Sequence, residues 1–188
     1  MGIPIREHTL EAIEDRLNSM NTALNKINYL ESALTTPGFS FELKRFLFGM
    51  LANLYEERKM FERAAKSMSD KANVEVGDRE RIDSYVNAAE LYSKAGKIRD
   101  ADEMFSRAIR NTTPEGNAKV KLARKNIYFA IANELERRGR KASAIKFYEK
   151  LIKMNLEDID KKDVKEKLIS TYNCLGMFRE AKLLSEQK

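Results

Sequence analysis

The chain has 188 residues, 43% of them hydrophobic and 34% charged, with a formal net charge of +6. That composition buries a core and argues against disorder, while three prolines and eight glycines are too few for a sandwich of many short strands. One cysteine, Cys174, and one histidine, His8, exclude an intrachain disulfide, a cysteine zinc site and a serine–histidine triad.

No stretch reaches the roughly 20 apolar residues of a membrane span, and the first residues lack the apolar segment of a signal peptide. A cytoplasmic location is expected, with no membrane partner. In chain order, turn signals stand at Thr35-Thr36-Pro37-Gly38, Gly77-Asp78, Gly96, Thr113-Pro114, Gly139, Asp158 to Asp160, and Gly176. The segments between them carry apolar residues at helical spacing, such as Tyr85, Ala88, Ala89 and Tyr92, or Tyr128, Ile131, Ala132 and Leu135. No alternating β pattern is found. The chain therefore reads as all-α, with nine helices near 8–35, 40–57, 60–74, 79–95, 98–111, 114–138, 141–155, 160–175 and 178–187.

The first of these differs from the rest. Leu10, Ile13, Leu17, Met20, Leu24, Ile27, Leu30 and Leu34 form a narrow seam at spacings of three and four. Residues 1–37 are expected to be one long helix with Leu17 and Leu24 buried. Two readings stay open: the helix caps the first hairpin, or it pairs two chains into a homodimer through 8–35.

Residues 38–188 read as four hairpins, because similar segments recur. Leu51-Ala52-Asn53-Leu54-Tyr55 is followed by Phe61 and Ala64. Ala88-Ala89-Glu90-Leu91-Tyr92 is followed by Gly96, Ala101 and Phe105. Ile131-Ala132-Asn133-Glu134-Leu135 is followed by Gly139, Ala144 and Tyr148. Leu168-Ile169-Ser170-Thr171-Tyr172 is followed by Gly176, Phe178 and Ala181. This pattern resembles the tetratricopeptide repeat (TPR), in which small residues allow close helix contact and aromatics fill the gaps. The alanine intervals of 37, 43 and 37 residues exceed the usual period of about 34, which resembles long-helix TPR-like proteins of the SNAP adaptor type.

The resemblance implies a right-handed superhelix of hairpins, a TPR-like solenoid, whose inner face is built from the first helix of each pair. Phe46, Met50, Asn53, Val86, Asn87, Asn126, Phe129 and Asn133 then line a groove. A row of amides donates and accepts at once, so it holds the backbone of an extended peptide. The known carboxylate clamp of such grooves is only half matched. Asn53 and Asn87 fit it, but Gly49, Asn126 and Ala130 stand where its basic residues belong, so a chaperone tail is not the expected ligand.

Charge suggests a second surface. The turns inside the hairpins (57–62, 94–99, 137–142 and 174–179) total +8, and the loops between hairpins (35–42, 73–80, 110–117 and 154–161) total −5. One edge is expected to be basic, centred on Lys94, Lys97, Arg99, Arg137, Arg138, Arg140 and Lys141. Helix dipoles account for bases at helix ends but not for Arg99, Arg140 or Lys141 at helix starts. No aromatic residue interleaves with this cluster in sequence, so a stacking platform for single strands is not expected from it.

No phosphate loop, dinucleotide fingerprint or metalloprotease motif is present. The chain reads as a non-catalytic adaptor or scaffold without metal or cofactor, taking a protein or peptide partner in its groove. A basic protein associated with RNA or the ribosome through the turn edge is the second reading.

Overall fold

A computed structural model describes residues 5, 7–154 and 156–186. Among these residues the structure is all-helical: α1 (Leu10–Asn18), α2 (Ala23–Leu34), α3 (Phe41–Glu57), α4 (Phe61–Val74), α5 (Asp78–Lys94), α6 (Ile98–Arg110), α7 (Pro114–Arg137), α8 (Lys141–Ile152), α9 (Asp158–Cys174) and α10 (Phe178–Glu186). Helices α3 to α10 agree closely with their expected bounds. They form the hairpins α3/α4, α5/α6, α7/α8 and α9/α10 of a TPR-like helical repeat.

The expected single helix over 8–35 is two helices. Side chains at the break compete with the backbone ladder. The Ser19 hydroxyl donates to the Arg16 carbonyl at 2.7 Å, and Thr22 starts a new helix by accepting from the Asn25 N–H at 3.2 Å. The break splits the seam. Ile13, Leu17, Ile27 and Leu30 are buried within one chain, but Leu10 is 39% exposed and Leu24 54%. Leu24 is therefore not buried within one chain, contrary to the capping reading. Helix α2 packs on α3, and the Tyr55 hydroxyl donates to the Glu31 carboxylate.

All four hairpins turn in the same way. The second residue after the first helix adopts a left-handed conformation in each: Lys59 (φ 58°), Gly96 (77°), Gly139 (72°) and Gly176 (72°). Its own N–H reaches back to the carbonyl of Glu56, Ser93, Glu136 or Asn173. The next N–H, of Met60, Lys97, Arg140 or Met177, bonds the carbonyl of Tyr55, Tyr92, Leu135 or Tyr172 at 2.8–2.9 Å. This double bond pattern satisfies the last free carbonyls of the first helix. The carbonyl of that same Met60, Lys97, Arg140 or Met177 accepts from Ala64, Ala101, Ala144 or Ala181, opening the second helix. Three of the turns use glycine, which adopts this conformation without penalty. The first uses a lysine, for which the left-handed region is unfavourable.

The small residues behave as the repeat requires. Ala52, Ala64, Ala89, Ala101, Ala132, Ala144 and Ala181 are all 4% exposed or less, so helix backbones approach closely there. Tyr85, Phe105, Tyr128 and Tyr148 are buried between helices, while Phe48 is only half-buried. Phe178, equivalent to Phe61 of the first copy, is 67% exposed, and Ser185 stands where the last copy would carry the aromatic of Phe105 and Tyr148.

The chain divides into two compact units, Met1–Val120 and Lys121–Lys188, with the division inside α7. The first unit carries 18 basic and 19 acidic residues, a net of −1; the second carries 17 and 10, a net of +7.

Candidate functional sites, one in each unit

In the first unit a recess of about 240 Å3 opens between α3 and α5. Ala52, Met68 and Leu91 are its apolar lining, and Asn53, Glu56, Asn87, Glu90 and Lys94 are its polar lining. Three of these polar groups are tied together. Lys94 Nζ lies 2.9 Å from Glu56 Oε1 and 3.0 Å from Glu90 Oε1, bridging α3 and α5. Burial alone would lower the Lys94 pKa, but the hydrogen bonds and charges of Glu56 and Glu90 outweigh it and hold the pKa above the ordinary lysine value. Asn53 and Asn87 are exposed, and no described protein group hydrogen-bonds to either side chain. The structure thus brings the two asparagines to one recess, as expected, and adds the Glu56–Lys94–Glu90 bridge. Phe46, Met50 and Val86 are half-buried on the same helices but do not line this recess.

In the second unit a recess of about 330 Å3 lies among α7, α8, α9 and the loop before α9. Its lining is more apolar: Phe129, Ala130, Leu151, Leu156 and Val164, with Lys125, Asn126, Asn133 and Asp160. Lys125 pairs with Asp160 at 2.6 Å across α7 and α9. Asn133 does not present the free amide that the sequence suggested. Its carbonyl oxygen accepts from Lys167 Nζ at 2.8 Å and lies 3.0 Å from the Tyr148 hydroxyl, whose single proton goes to Glu136. Lys167 also sits over the Phe129 ring, 4.8 Å from its centroid. These two neighbours belong to other helices, α8 and α9, so the periodicity of α7 could not reveal them. Asn126 stays exposed.

The expected basic edge is uneven. Lys94 points into the first recess rather than standing free, and Lys97 pairs with Glu62 at 3.1 Å. Arg137 and Arg138 both pair with Glu134. Arg99, Arg140 and Lys141 have no ion pair among the described residues.

Buried tyrosines consume carboxylates in both units. Tyr29 donates to Glu7, Tyr55 to Glu31, Tyr148 to Glu136 and Tyr172 to Glu149. Burial, then the hydrogen bond and charge of the carboxylate, raise each phenol above its ordinary pKa; Tyr55 is pushed up to about 12.

The fold defines a class of architecture, the helical-hairpin repeat scaffold. Among the described residues no three histidine, cysteine or acidic side chains gather as a metal site, and no helix is long and apolar enough to cross a membrane. The family model for the tetratricopeptide repeat matches residues 82–112 and 126–158, which fall within the hairpins α5/α6 and α7/α8 and the residues that follow each. Solved structures similar to the chain include the kinesin light chain TPR-like repeats of Podosopora anserina, at 14% identity and a TM-score of 0.40, covering 94% of this chain and 89% of that one. Another is BtubC (BKLC) from P. vanneervenii, at 16% identity and a TM-score of 0.40, covering 93% of this chain and 72% of that one. No curated protein sequence matches the chain.

Proposed function

We propose that the protein is a non-catalytic adaptor that holds an extended peptide of a partner protein in the recess between α3 and α5. The observation that carries this reading is the convergence of Asn53 and Asn87 on one recess, both exposed and neither bonded to another described group. Two amides facing each other across two helices can each pair with a peptide N–H and C=O without reading a side chain. Lys94, held between Glu56 and Glu90, fixes the spacing of the two walls.

The test begins with peptides selected from a displayed random library on the full chain. A selected peptide is then titrated against wild type, Asn53→Ala and Asn87→Ala. Each lost hydrogen bond is worth about 0.5–1.5 kcal/mol, so each variant should bind about 2- to 12-fold more weakly. Unchanged affinity in both variants would sink the reading.

A further inference from the structure

We propose that the turn end of the second unit, where α7/α8 and α9/α10 reverse, is a binding surface for single-stranded RNA. Helices α7 and α9 run parallel, because Lys125 meets Asp160, Asn133 meets Lys167 and Glu136 meets Thr171. The last contact lies within one turn of the end of each helix. The turns at 138–140 and 175–177 are therefore neighbours, at the spacing of packed helices, about 8–10 Å.

That end collects Arg137, Arg138, Arg140 and Lys141 from one turn and Arg179 from the other. Against these five cations stand Glu134, which Arg137 and Arg138 share, and Glu180, leaving +3. Glu136, nearest in sequence, is turned inward: its two oxygens accept from Thr171 and Tyr148 at 2.7 Å. It neutralises little of the surface.

Two further facts select the partner. The unit has five arginines and twelve lysines, and four of the five arginines lie at this one end. Diffuse attraction to an anionic surface does not distinguish the two residue types. Planar, bidentate phosphate contact does. The second fact is Phe178, 67% exposed beside Arg179 in the first turn of α10, with Leu175 42% exposed in the turn before it. An exposed ring among arginines is a stacking platform for an unpaired base. The sequence hides this pairing, since Phe178 and Arg140 belong to different hairpins; parallel packing of α7 and α9 brings the two turns together.

The experiment is a titration of the full chain with a fluorescent 12-nucleotide polyuridine and with vesicles containing phosphatidylserine, at two salt concentrations. Wild type should bind the RNA with a slope of log affinity against log salt near −2, about −0.7 for each of three phosphates. Arg138→Gln/Arg140→Gln/Arg179→Gln should flatten that slope towards zero. Phe178→Leu should weaken binding about 5- to 150-fold with the slope kept, and Phe178→Tyr should restore it. Lys146→Gln/Lys161→Gln/Lys162→Gln removes the same charge elsewhere and should change affinity less than about twofold. Denaturant midpoints of all variants establish that they fold. The proposal is overturned if the lysine triple weakens binding as much as the arginine triple. It is equally overturned if Phe178→Leu binds like wild type, or if vesicles are bound and RNA is not. Asn53→Ala/Asn87→Ala should bind RNA like wild type, so this test and that of the peptide recess fail separately.

Discussion

The two compact units are built from the same hairpin, yet they handle charge in opposite ways. In the first, cations and carboxylates nearly balance, and the recess itself is laced by the Glu56–Lys94–Glu90 bridge. In the second, ten carboxylates face seventeen cations, and two of the ten, Glu136 and Glu149, accept from buried hydroxyls, as Glu7 and Glu31 do from Tyr29 and Tyr55 in the first. The recess that remains is more apolar, and the excess positive charge stands on the outside. Net charge computed along a chain therefore understates what a partner meets. Carboxylates spent on buried hydroxyls count in the sum but contribute less at the surface.

Four measurements break or sharpen this comparison. The largest effect is expected where the first unit has no counterpart in the second, at α1 and α2. Leu17 is 2% exposed, so Leu17→Ala should cost about 2–5 kcal/mol by denaturant melt. Leu24, 54% exposed, should tolerate alanine within about 0.5 kcal/mol. Equal costs would mean that the seam is continuous and that the two-helix description is wrong.

Next in size is the hydroxyl network of the second unit. Tyr148→Phe leaves Glu136 short of a donor in a part-buried site, while Asn133 keeps Lys167. It should cost about 1–3 kcal/mol, the penalty for stranded polar groups. Tyr85→Phe in the first unit frees Asn73, which is exposed and can turn to water, and Arg107, which keeps its pair with Glu103. Its cost should be about 0.5 kcal/mol, the low end for a single hydrogen bond. If the order reverses, the part-buried Tyr148–Glu136 pair is not the more costly of the two to break.

The third compares turns. Gly139→Ala forces a side chain into a left-handed conformation and should lose about 1–2 kcal/mol. Lys59→Gly relieves the same strain in the first unit. It should be neutral to stabilising, by up to about 1 kcal/mol, because glycine also gains freedom when unfolded. A destabilised Lys59→Gly would show that the lysine side chain contributes something the turn geometry does not reveal.

The last has no effect at neutral pH. Tyr29, Tyr55, Tyr148 and Tyr172 hold their protons more tightly when folded than in the unfolded chain, where a tyrosine titrates near 10. Above about pH 10 the unfolded state therefore binds fewer protons than the folded one, and stability falls as pH rises. Their contribution is complete below pH 10 and is lost progressively towards the folded values. Urea midpoints at pH 8, 10 and 11 should decline over the last two, and Tyr55→Phe should shallow the decline. A flat profile would remove the tyrosine–carboxylate pairs from the account.

Much of the architecture was legible beforehand, and for definite reasons. A period of 3.6, glycine at 96, 139 and 176, and alanines recurring at 64, 101, 144 and 181 are local constraints. A left-handed turn or a close helix contact admits few residues, so those residues announce it. Asn53 was legible as the first-helix partner of Asn133 in the repeat, while Asn87 stands three residues before Glu90, the equivalent of Asn53.

Other features escaped the sequence because their partners are distant or because local competition is close. The apolar seam ran unbroken through 8–35, yet Ser19 and Thr22 hydrogen-bond to the backbone and end one helix to begin another. Lys59 takes the left-handed turn without glycine, since the two flanking helices and their backbone bonds over-determine it. Asn133 looked like Asn53, but Lys167 claims its oxygen. Phe178 stands in solvent beside Arg179, which the repeat alignment did not reveal. Sequence alone determined the helices, their pairing into hairpins and the alanines at their contacts, since each follows from residues within one or two turns. Only the tertiary structure decided which polar groups are left for a partner, since that depends on which side chains of the neighbouring helices reach them first.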